Sequence, residues 1–379
     1  MRRIVIAPDS FKGSLSSSEV AAAIREGLEE AIPGCETATV CMSDGGDGMI
    51  SAIEACTRSE KVHISVHDAL GRPVEAAYLI TDGTAIIEMA QASGLTCLSP
   101  SERNPMKTST YGTGEMILDA YHRGCRRFII GLGGSATNDA GCGMMEALGF
   151  RFKDHNGNEI AGCCGETLKS IARVDSSAVK IDLTSCDFTA ACDVEAVFTG
   201  PEGAARVFAA QKGADEKMIS ELEAGMKTYE SVIRECYGIN LSEVKGSGAA
   251  GGLGGCLHTF FNASMKKGSE LILEITGFDF LVKDADLVIT GEGKIDSQTF
   301  MGKIPSEIAL RALSHGVETI AVGALVESDI SASHNTVFKD ILAIQPRPTS
   351  EKELSAAMNP ETTKENIRRT ISTYFAENH

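Results

Sequence analysis

The sequence predicts an α/β protein of two domains, and three observations carry the prediction. A short apolar strand, an acidic or Gly-rich turn and a helix follow one another twice at the N-terminal end, and the same order returns near the C-terminal end. The middle of the chain instead carries short alternating segments between Gly and Pro. The chain has 379 residues, room for two domains at about 150 residues each. Strand–turn–helix units imply a parallel, doubly wound sheet of Rossmann or flavodoxin-like type, with function at the C-terminal ends of its strands. The alternating middle implies an inserted mixed α/β domain.

The first strand is the apolar run 4–7, which enters the polar turn Pro8-Asp9-Ser10-Phe11-Lys12-Gly13-Ser14. Ser16 and Glu19 have capping-box spacing, and Val20, Ile24 and Leu28 make one apolar stripe, so a helix follows until Pro33 and Gly34 stop it. A second strand over 37–42 runs into Ser43-Asp44-Gly45-Gly46-Asp47-Gly48, and a helix starts near Met49. Near the other end, the strand 286–290 feeds a turn, Gly291-Glu292-Gly293-Lys294-Ile295-Asp296. A helix over 305–313, strands at 318–322 and 340–344, and a last helix over 362–374 complete that half. Together the ends supply one sheet of about five strands. In the middle, strands are expected at 62–66, 75–80, 85–88 and 128–130, a hairpin turns at Asn156-Gly157, and helices cover 110–123, 138–148 and 215–236. The expected domains are residues 1–75 with 282–379, and residues 76–281, with hinge-like crossings near 70–80 and 280.

Composition narrows the function. The net charge of −17 disfavours nucleic acid and anionic lipid as partners, and no apolar run approaches the length of a membrane span. The twelve cysteines include no CxxC and join no histidine cluster at zinc spacing. They read as reduced, buried thiols of a cytoplasmic protein.

Gly clusters accompany acids and lysines. They are Asp44-Gly45-Gly46-Asp47-Gly48, Gly112-Thr113-Gly114, the stretch from Gly131 through Gly133, Gly134, Ser135, Asn138 and Asp139 to Gly143, the stretch from Gly246 to Gly255, and Gly291-Glu292-Gly293. Such turns bring backbone N–H groups and helix N-termini to phosphate. There is no P-loop motif. Gly246-x-Gly248-x-x-Gly251 has dinucleotide spacing but follows a polar stretch rather than a strand, which argues against a dehydrogenase. Asp9, Asp44, Asp47, Asp139, Asp193, Glu292 and Asp296 occupy turns after apolar segments, where carboxylates can hold Mg²⁺ or deprotonate a hydroxyl. Lys12, Lys212 and Lys303 are placed to neutralise phosphate charge. His258 and the apolar stripe of 215–236 read as packing.

The residues then identify a family resemblance. Ala7-Pro8-Asp9-Ser10-Phe11-Lys12-Gly13-Ser14-Leu15, Ser43-Asp44-Gly45-Gly46-Asp47-Gly48, Glu88-Met89-Ala90-Gln91-Ala92-Ser93-Gly94-Leu95, Thr108-Ser109-Thr110-Tyr111-Gly112-Thr113-Gly114, Gln211-Lys212-Gly213-Ala214, Thr290-Gly291-Glu292-Gly293 and Gly302-Lys303-Ile304-Pro305 occur in the order found in type I glycerate kinases. This family includes the bacterial glycerate 2-kinases, and the resemblance spans nearly the whole chain. One departure is Glu195-Ala196-Val197-Phe198, where the family usually has an Asn-Pro-Leu segment. The resemblance implies Mg²⁺-dependent transfer of phosphate from ATP to D-glycerate, with the 2-hydroxyl favoured, in a cleft between two α/β domains. The residue roles are set by the chemistry. Asp193, then Asp44, is the candidate general base. Lys12 and Lys212 stabilise transferring phosphate or the glycerate carboxylate. Asp9, Ser10, Gly45, Gly46, Gly133, Gly134, Ser135, Asn138, Asp139, Gly248, Gly251, Gly252, Gly291, Glu292 and Lys303 contact substrate or phosphate, and Glu292 and Asp296 meet the metal. The rivals are a nicotinamide-dependent dehydrogenase of a small hydroxy acid and a non-catalytic metabolite-binding regulator.

Overall fold

The computed structural model describes residues 3–43, 48–327, 330, 337–346 and 358–378. In chain order the N-terminal elements are β1 (Arg3–Pro8), α1 (Ser17–Ala31), β2 (Glu36–Thr39), α2 (Met49–Cys56), β3 (Glu60–His67), β4 (Pro73–Thr81), β5 (Thr84–Glu88), α3 (Ala90–Ser93), α4 (Tyr111–His122) and β6 (Arg127–Gly131). The middle adds α5 (Cys142–Ala147), β7 (Arg151–Lys153), β8 (Glu159–Ile160), β9 (Arg173–Asp175), β10 (Asp187–Ala191), α6 (Ala204–Phe208), α7 (Glu216–Tyr237), α8 (Ala249–Phe261) and β11 (Ser264–Lys266). The C-terminal part adds α9 (Gly268–Ile275), α10 (Phe278–Lys283), β12 (Leu287–Ile295), α11 (Ile304–Ser314), β13 (Thr319–Val326), β14 (Asp340–Ala343) and α12 (Pro360–Glu377).

The chain divides into two compact units. One holds residues 1–44, 51–57 and 269–379, and the other holds 45–50 and 58–268. The expected boundaries at 75 and 282 both fall later than these, and strand pairing accounts for the first. The antiparallel pairing of β3 with β4 commits residues from 58 onward to the second unit.

The first unit is built on a parallel sheet in the order β14-β13-β12-β1-β2. Counted along the chain within this unit, that is the doubly wound order 2-1-3-4-5, and its switch point lies between β1 and β12. Ile4, Ile6, Ile289, Ile320 and Val322 are buried against Val20, Ile24 and Leu28 of α1 and Ile367, Ile371 and Phe375 of α12. The capping box of α1 forms as expected: Ser16 Oγ accepts from Glu19 N–H over 3.3 Å, and Ser16 N–H donates to the Glu19 carboxylate over 3.0 Å. One expectation fails here. The segment after Thr290 is not a turn, because β12 continues to Ile295, paired with β13 through Gly291–Val322, Glu292–Gly323 and Lys294–Leu325.

The second unit has a six-stranded sheet, β11-β10-β6-β5-β4-β3, whose β11, β10, β6 and β5 are parallel, with β4 antiparallel to β5 and β3 antiparallel to β4. Beside it, β8-β7-β9 form a small antiparallel sheet. The hairpin at Asn156-Gly157 pairs Phe152 with Ile160. The stripe of α7 is core as expected, with Leu222, Met226, Tyr229 and Ile233 buried. All twelve cysteines are free thiols. Among the described residues, no helix is long and apolar enough to cross a membrane.

Close helix packing in the first unit depends on Gly27. A Cβ there would lie 2.5 Å from the Arg368 carbonyl oxygen and 2.9 Å from Ile371 Cβ. Gly27→Ala therefore forces α1 away from α12, and the expected cost is about 1–3 kcal/mol, read as a lower melting temperature. An unchanged or raised melting temperature would contradict this packing account.

Candidate active site

In each unit, several of the sequence candidates lie where parallel strands end. In the first unit, Pro8 is level with Gly291 across β1 and β12. Asp9 N–H donates to Gly291 O over 2.8 Å, and the Asp9 carboxylate accepts from Ser10 N–H over 2.7 Å. The following turn closes through Phe11 and Leu15, leaving Lys12 exposed. Gly293 lies against this turn: a Cβ there would make ordinary contact with Phe11 Cα at 3.5 Å and Lys12 N at 3.6 Å. Gly291 is tighter, since a Cβ would meet Val322 O at 2.5 Å.

Beside that turn, two carboxylates meet two lysines. Glu292 Oε1 accepts from Thr299 Oγ1 over 2.5 Å, and Lys303 Nζ lies 3.7 Å from Glu292 Oε2 and 3.8 Å from Asp296 Oδ1. Lys294 bridges Asp296 at 3.0 Å and Glu327 at 2.6 Å. Asp296 N–H donates to Thr299 Oγ1, and Gln298 N–H donates to the Asp296 carboxylate. Both acids are buried. Burial pushes Glu292 above the usual carboxylate range, opposed by Thr299 and Lys303. Burial also acts on Asp296, but Lys294, Lys303 and the Gln298 amide outweigh it and hold that carboxyl below its usual value. Lys303 stands at the N-cap of α11, half-exposed.

In the second unit, Glu88, Gly131, Ala191 and Lys266 are level across the four parallel strands. The 131–139 turn and Asp193 follow directly. Gly133 and Gly134 are partly exposed, whereas Ser135, Asn138 and Asp139 are buried. Asp193 is exposed, and its Oδ1 accepts from Gly268 N–H over 3.2 Å.

Three residues of this group work internally. Asp139 accepts from Thr110 N–H and Oγ1 at 2.7 and 2.8 Å and from Gly141 and Gly143 N–H at 3.2 Å. Burial nevertheless pushes its pKa up against those bonds. Lys212 is 1% exposed and donates to Thr137 O over 2.6 Å. Burial drags it down to about 7, opposed by the charge of Asp139. Asn138 donates to the Met226 sulfur, and its Oδ1 finds no partner among the described residues.

The Gly248–Gly252 turn is a packing device. Ala250, Gly251 and Gly252 have left-handed backbone at the start of α8. A Cβ on Gly251 would lie 2.1 Å from Thr137 O, and one on Gly248 would lie 2.1 Å from Val197 O. Gly251 O accepts from Ala140 N–H over 3.0 Å, locking the two glycine turns together. Asp44, Gly45 and Gly46 lie outside the described residues.

Sequence reasoning did not assign a role to Glu88. This buried carboxylate accepts N–H bonds from Gly48 and Ile50 at 3.1 and 2.9 Å, holding the start of α2. An acid at the end of an apolar strand was the available signal. Thr299 and Thr110, the donors that orient Glu292 and Asp139, were also missed. A lone Thr in a loop carries no such signal.

The glycerate kinase family matches residues 4–375. The chain belongs to the glycerate kinase family. It is 42% identical to a glycerate kinase from Bacillus subtilis (strain 168), over 91% of this chain and 90% of that one. It is also 42% identical to a glycerate 2-kinase from Escherichia coli (strain K12), over 88% and 87% of the two chains. A crystal structure from Salmonella typhimurium LT2 assigned as glycerate kinase 2 has a TM-score of 0.86 and 38% identity, covering 100% of this chain and 98% of that one. The protein is therefore a kinase with a small-molecule substrate, and membership of this family implies ATP as donor.

Lys212 gives this glycerate kinase family member a measurable pH signature. Its folded pKa lies below the unfolded value, so between about 7 and the ordinary lysine range the unfolded chain binds the extra proton. Stability from this group is lowest below pH 7 and rises with pH above it. The stability of wild type relative to Lys212→Met should therefore increase from pH 7 to pH 10 in denaturant titrations. A flat or falling difference would contradict a buried lysine.

Proposed function

We propose that this protein transfers the γ-phosphoryl group of ATP to a hydroxyl of D-glycerate, with the 2-hydroxyl favoured, and releases ADP. The carrying observation is the Glu292–Asp296–Lys303 cluster at the switch point, in a chain matching the glycerate kinase family from end to end. The glycerate 2-kinase relative from Escherichia coli supports the regiochemistry.

Phosphoryl transfer is mostly positioning and charge stabilisation. Of the three candidate lysines 12, 212 and 303, Lys12 and Lys303 are accessible to neutralise charge on phosphate oxygens. Asp9 and Ser10 shape the turn that presents Lys12. Gly133 and Gly134, the accessible part of their turn, offer backbone N–H groups to an anion. Asp193 takes the proton of the attacking hydroxyl, and Asp44 is the alternative base. Lys212 and Asp139 hold the 131–139 turn from inside, with Gly251 and Gly252 packed against it and Gly248 packed on Val197.

Mg²⁺ fits the donor set. It is commonly held by one or two carboxylates together with substrate phosphates. Glu292 and Asp296 are two such carboxylates, and among the described residues no larger cluster of acids, His and Cys competes with them. Those two residues would hold the ion, which supplies charge neutralisation on phosphate oxygens.

A coupled assay of ADP release over a panel of hydroxy acids, with products read by phosphorus NMR, tests the reading. D-glycerate-dependent ADP and 2-phosphoglycerate are expected. Binding without ADP, or NADH formation from NAD and glycerate, would contradict it. Asp193→Asn and Lys12→Ala should each lower kcat by about 100-fold or more, and near-wild-type kinetics in both would remove these assignments. Glu292→Gln and Asp296→Asn should raise the Mg²⁺ concentration for half-maximal activity about tenfold; an unchanged Mg²⁺ titration would place the metal elsewhere.

A further inference from the structure

Two of the twelve cysteines are not isolated apolar fillers. Cys41 is buried just after β2, and Cys56 closes α2 and is partly exposed. Both belong to the parallel-sheet unit. Cys41 N–H donates to the Cys56 sulfur over 3.0 Å, which places the two cysteines side by side. A backbone N–H donated to a sulfur favours its anion. Cys56 is accordingly drawn down to about 7, chiefly by the Cys41 thiol, with burial opposing. Cys41 is pushed up by the Cys56 sulfur and by burial. The contrast is with Cys142, Cys163 and Cys256, whose thiols burial raises and holds in the protonated, unreactive form. A partly exposed thiolate beside a second thiol is the arrangement in which a sulfenic acid is captured as a disulfide.

We propose that Cys41 and Cys56 form a reversible disulfide on reaction with hydrogen peroxide, and that this bond lowers the enzyme's activity through the end of β1. The Cys56 thiolate attacks one peroxide oxygen, the O–O bond breaks, and the departing oxygen leaves as water after taking up a proton. The Cys41 sulfur then attacks the Cys56 sulfenic sulfur. The S–O bond breaks, the thiol proton and the hydroxyl leave as a second water, and the S–S bond forms. The two thiols lose two electrons, and one peroxide becomes two waters. A dithiol reverses the bond by exchange.

The path from this bond to the active site is short. A disulfide sulfur is a poor acceptor, so Cys41 N–H loses its partner and the strand end must move. The next residue is tied to β1: Met42 N–H donates to Ser17 Oγ over 2.9 Å, and Ser17 Oγ donates to Pro8 O over 2.7 Å. Pro8 precedes Asp9. The bond also closes a loop that contains the segment 43–48, which carries Asp44, Gly45 and Gly46.

The test treats the full-length protein with hydrogen peroxide at several pH values and follows phosphotransfer and non-reducing peptide maps by mass spectrometry. A Cys41–Cys56 linked peptide is expected. Activity should fall about tenfold and return with dithiothreitol, and the reaction should accelerate as pH rises through about 7. Cys41→Ser and Cys56→Ser should keep their activity through the same treatment, and Cys56→Ala serves if a serine variant fails to fold. Absence of the linked peptide, linkage without loss of activity, or a loss that persists in the variants overturns the proposal. The activity readout rests on the phosphotransfer reading. The linked peptide is read by mass alone, so failure of one is distinguishable from failure of the other.

Discussion

The parallel pairing of β1 with β12 is the constraint on which the first unit depends. It joins residues about 280 positions apart in sequence, from Ile4–Leu287 to Pro8–Gly291. It also fixes the point where the sheet reverses its winding. At that point the connections leaving the two strands run to opposite sides of the sheet, so their C-terminal ends are left uncovered and can receive a ligand. Everything assigned to phosphate and metal in this unit sits on those two ends. Asp9 and Lys12 come from one; Glu292, Asp296 and Lys303 come from the other. Thr290 Oγ donates to Ala7 O over 2.8 Å, tying the pair together one step before the site begins.

The second unit repeats the logic with a different use of burial. Its parallel strands end level at Glu88, Gly131, Ala191 and Lys266. The polar residues that follow separate into two groups. Gly133, Gly134 and Asp193 reach the surface, whereas Asn138, Asp139 and Lys212 are enclosed. An enclosed carboxylate with four donors is a rigid anchor. It fixes the course of a turn whose backbone must otherwise bend through left-handed conformations at Ala140 and Gly141. Glycines at 251 and 252 then allow a second turn to press on the first, where a Cβ would meet Thr137 O at 2.1 Å and Ala140 Cα at 2.9 Å.

Much of this was legible in the sequence because it rests on local rules. The capping box at Ser16, the stripe of α1 and α7, the hairpin at Asn156-Gly157 and the strands of the end-built sheet follow from spacing and periodicity. What was not legible depends on pairing partners far away. Gly291 to Ile295 reads as a turn from its glycines, but becomes strand because β13 offers a complete ladder. Lys212 reads as a phosphate ligand from its neighbours Gln211 and Gly213, and only tertiary packing reveals that it points at Thr137 inside the unit. The Gly248–Gly252 turn reads as a cradle; the atoms that crowd it belong to Val197 and Phe198 and to Thr137, Asn138 and Ala140, far from it in sequence. An acid at the end of an apolar strand is a signal that Glu88 also carries, and there it marks a carboxylate that holds backbone N–H groups.

The central claim is that Glu292 and Asp296, at the switch point of the first sheet, meet the metal and the transferring phosphate. The most direct measurement is anomalous diffraction from crystals grown with Mn²⁺, a non-hydrolysable ATP analogue and D-glycerate. The account predicts a manganese peak within coordination distance of the Glu292 or Asp296 carboxylate, with Lys303 turned to a phosphate oxygen. A manganese–nucleotide complex bound away from both carboxylates would contradict it.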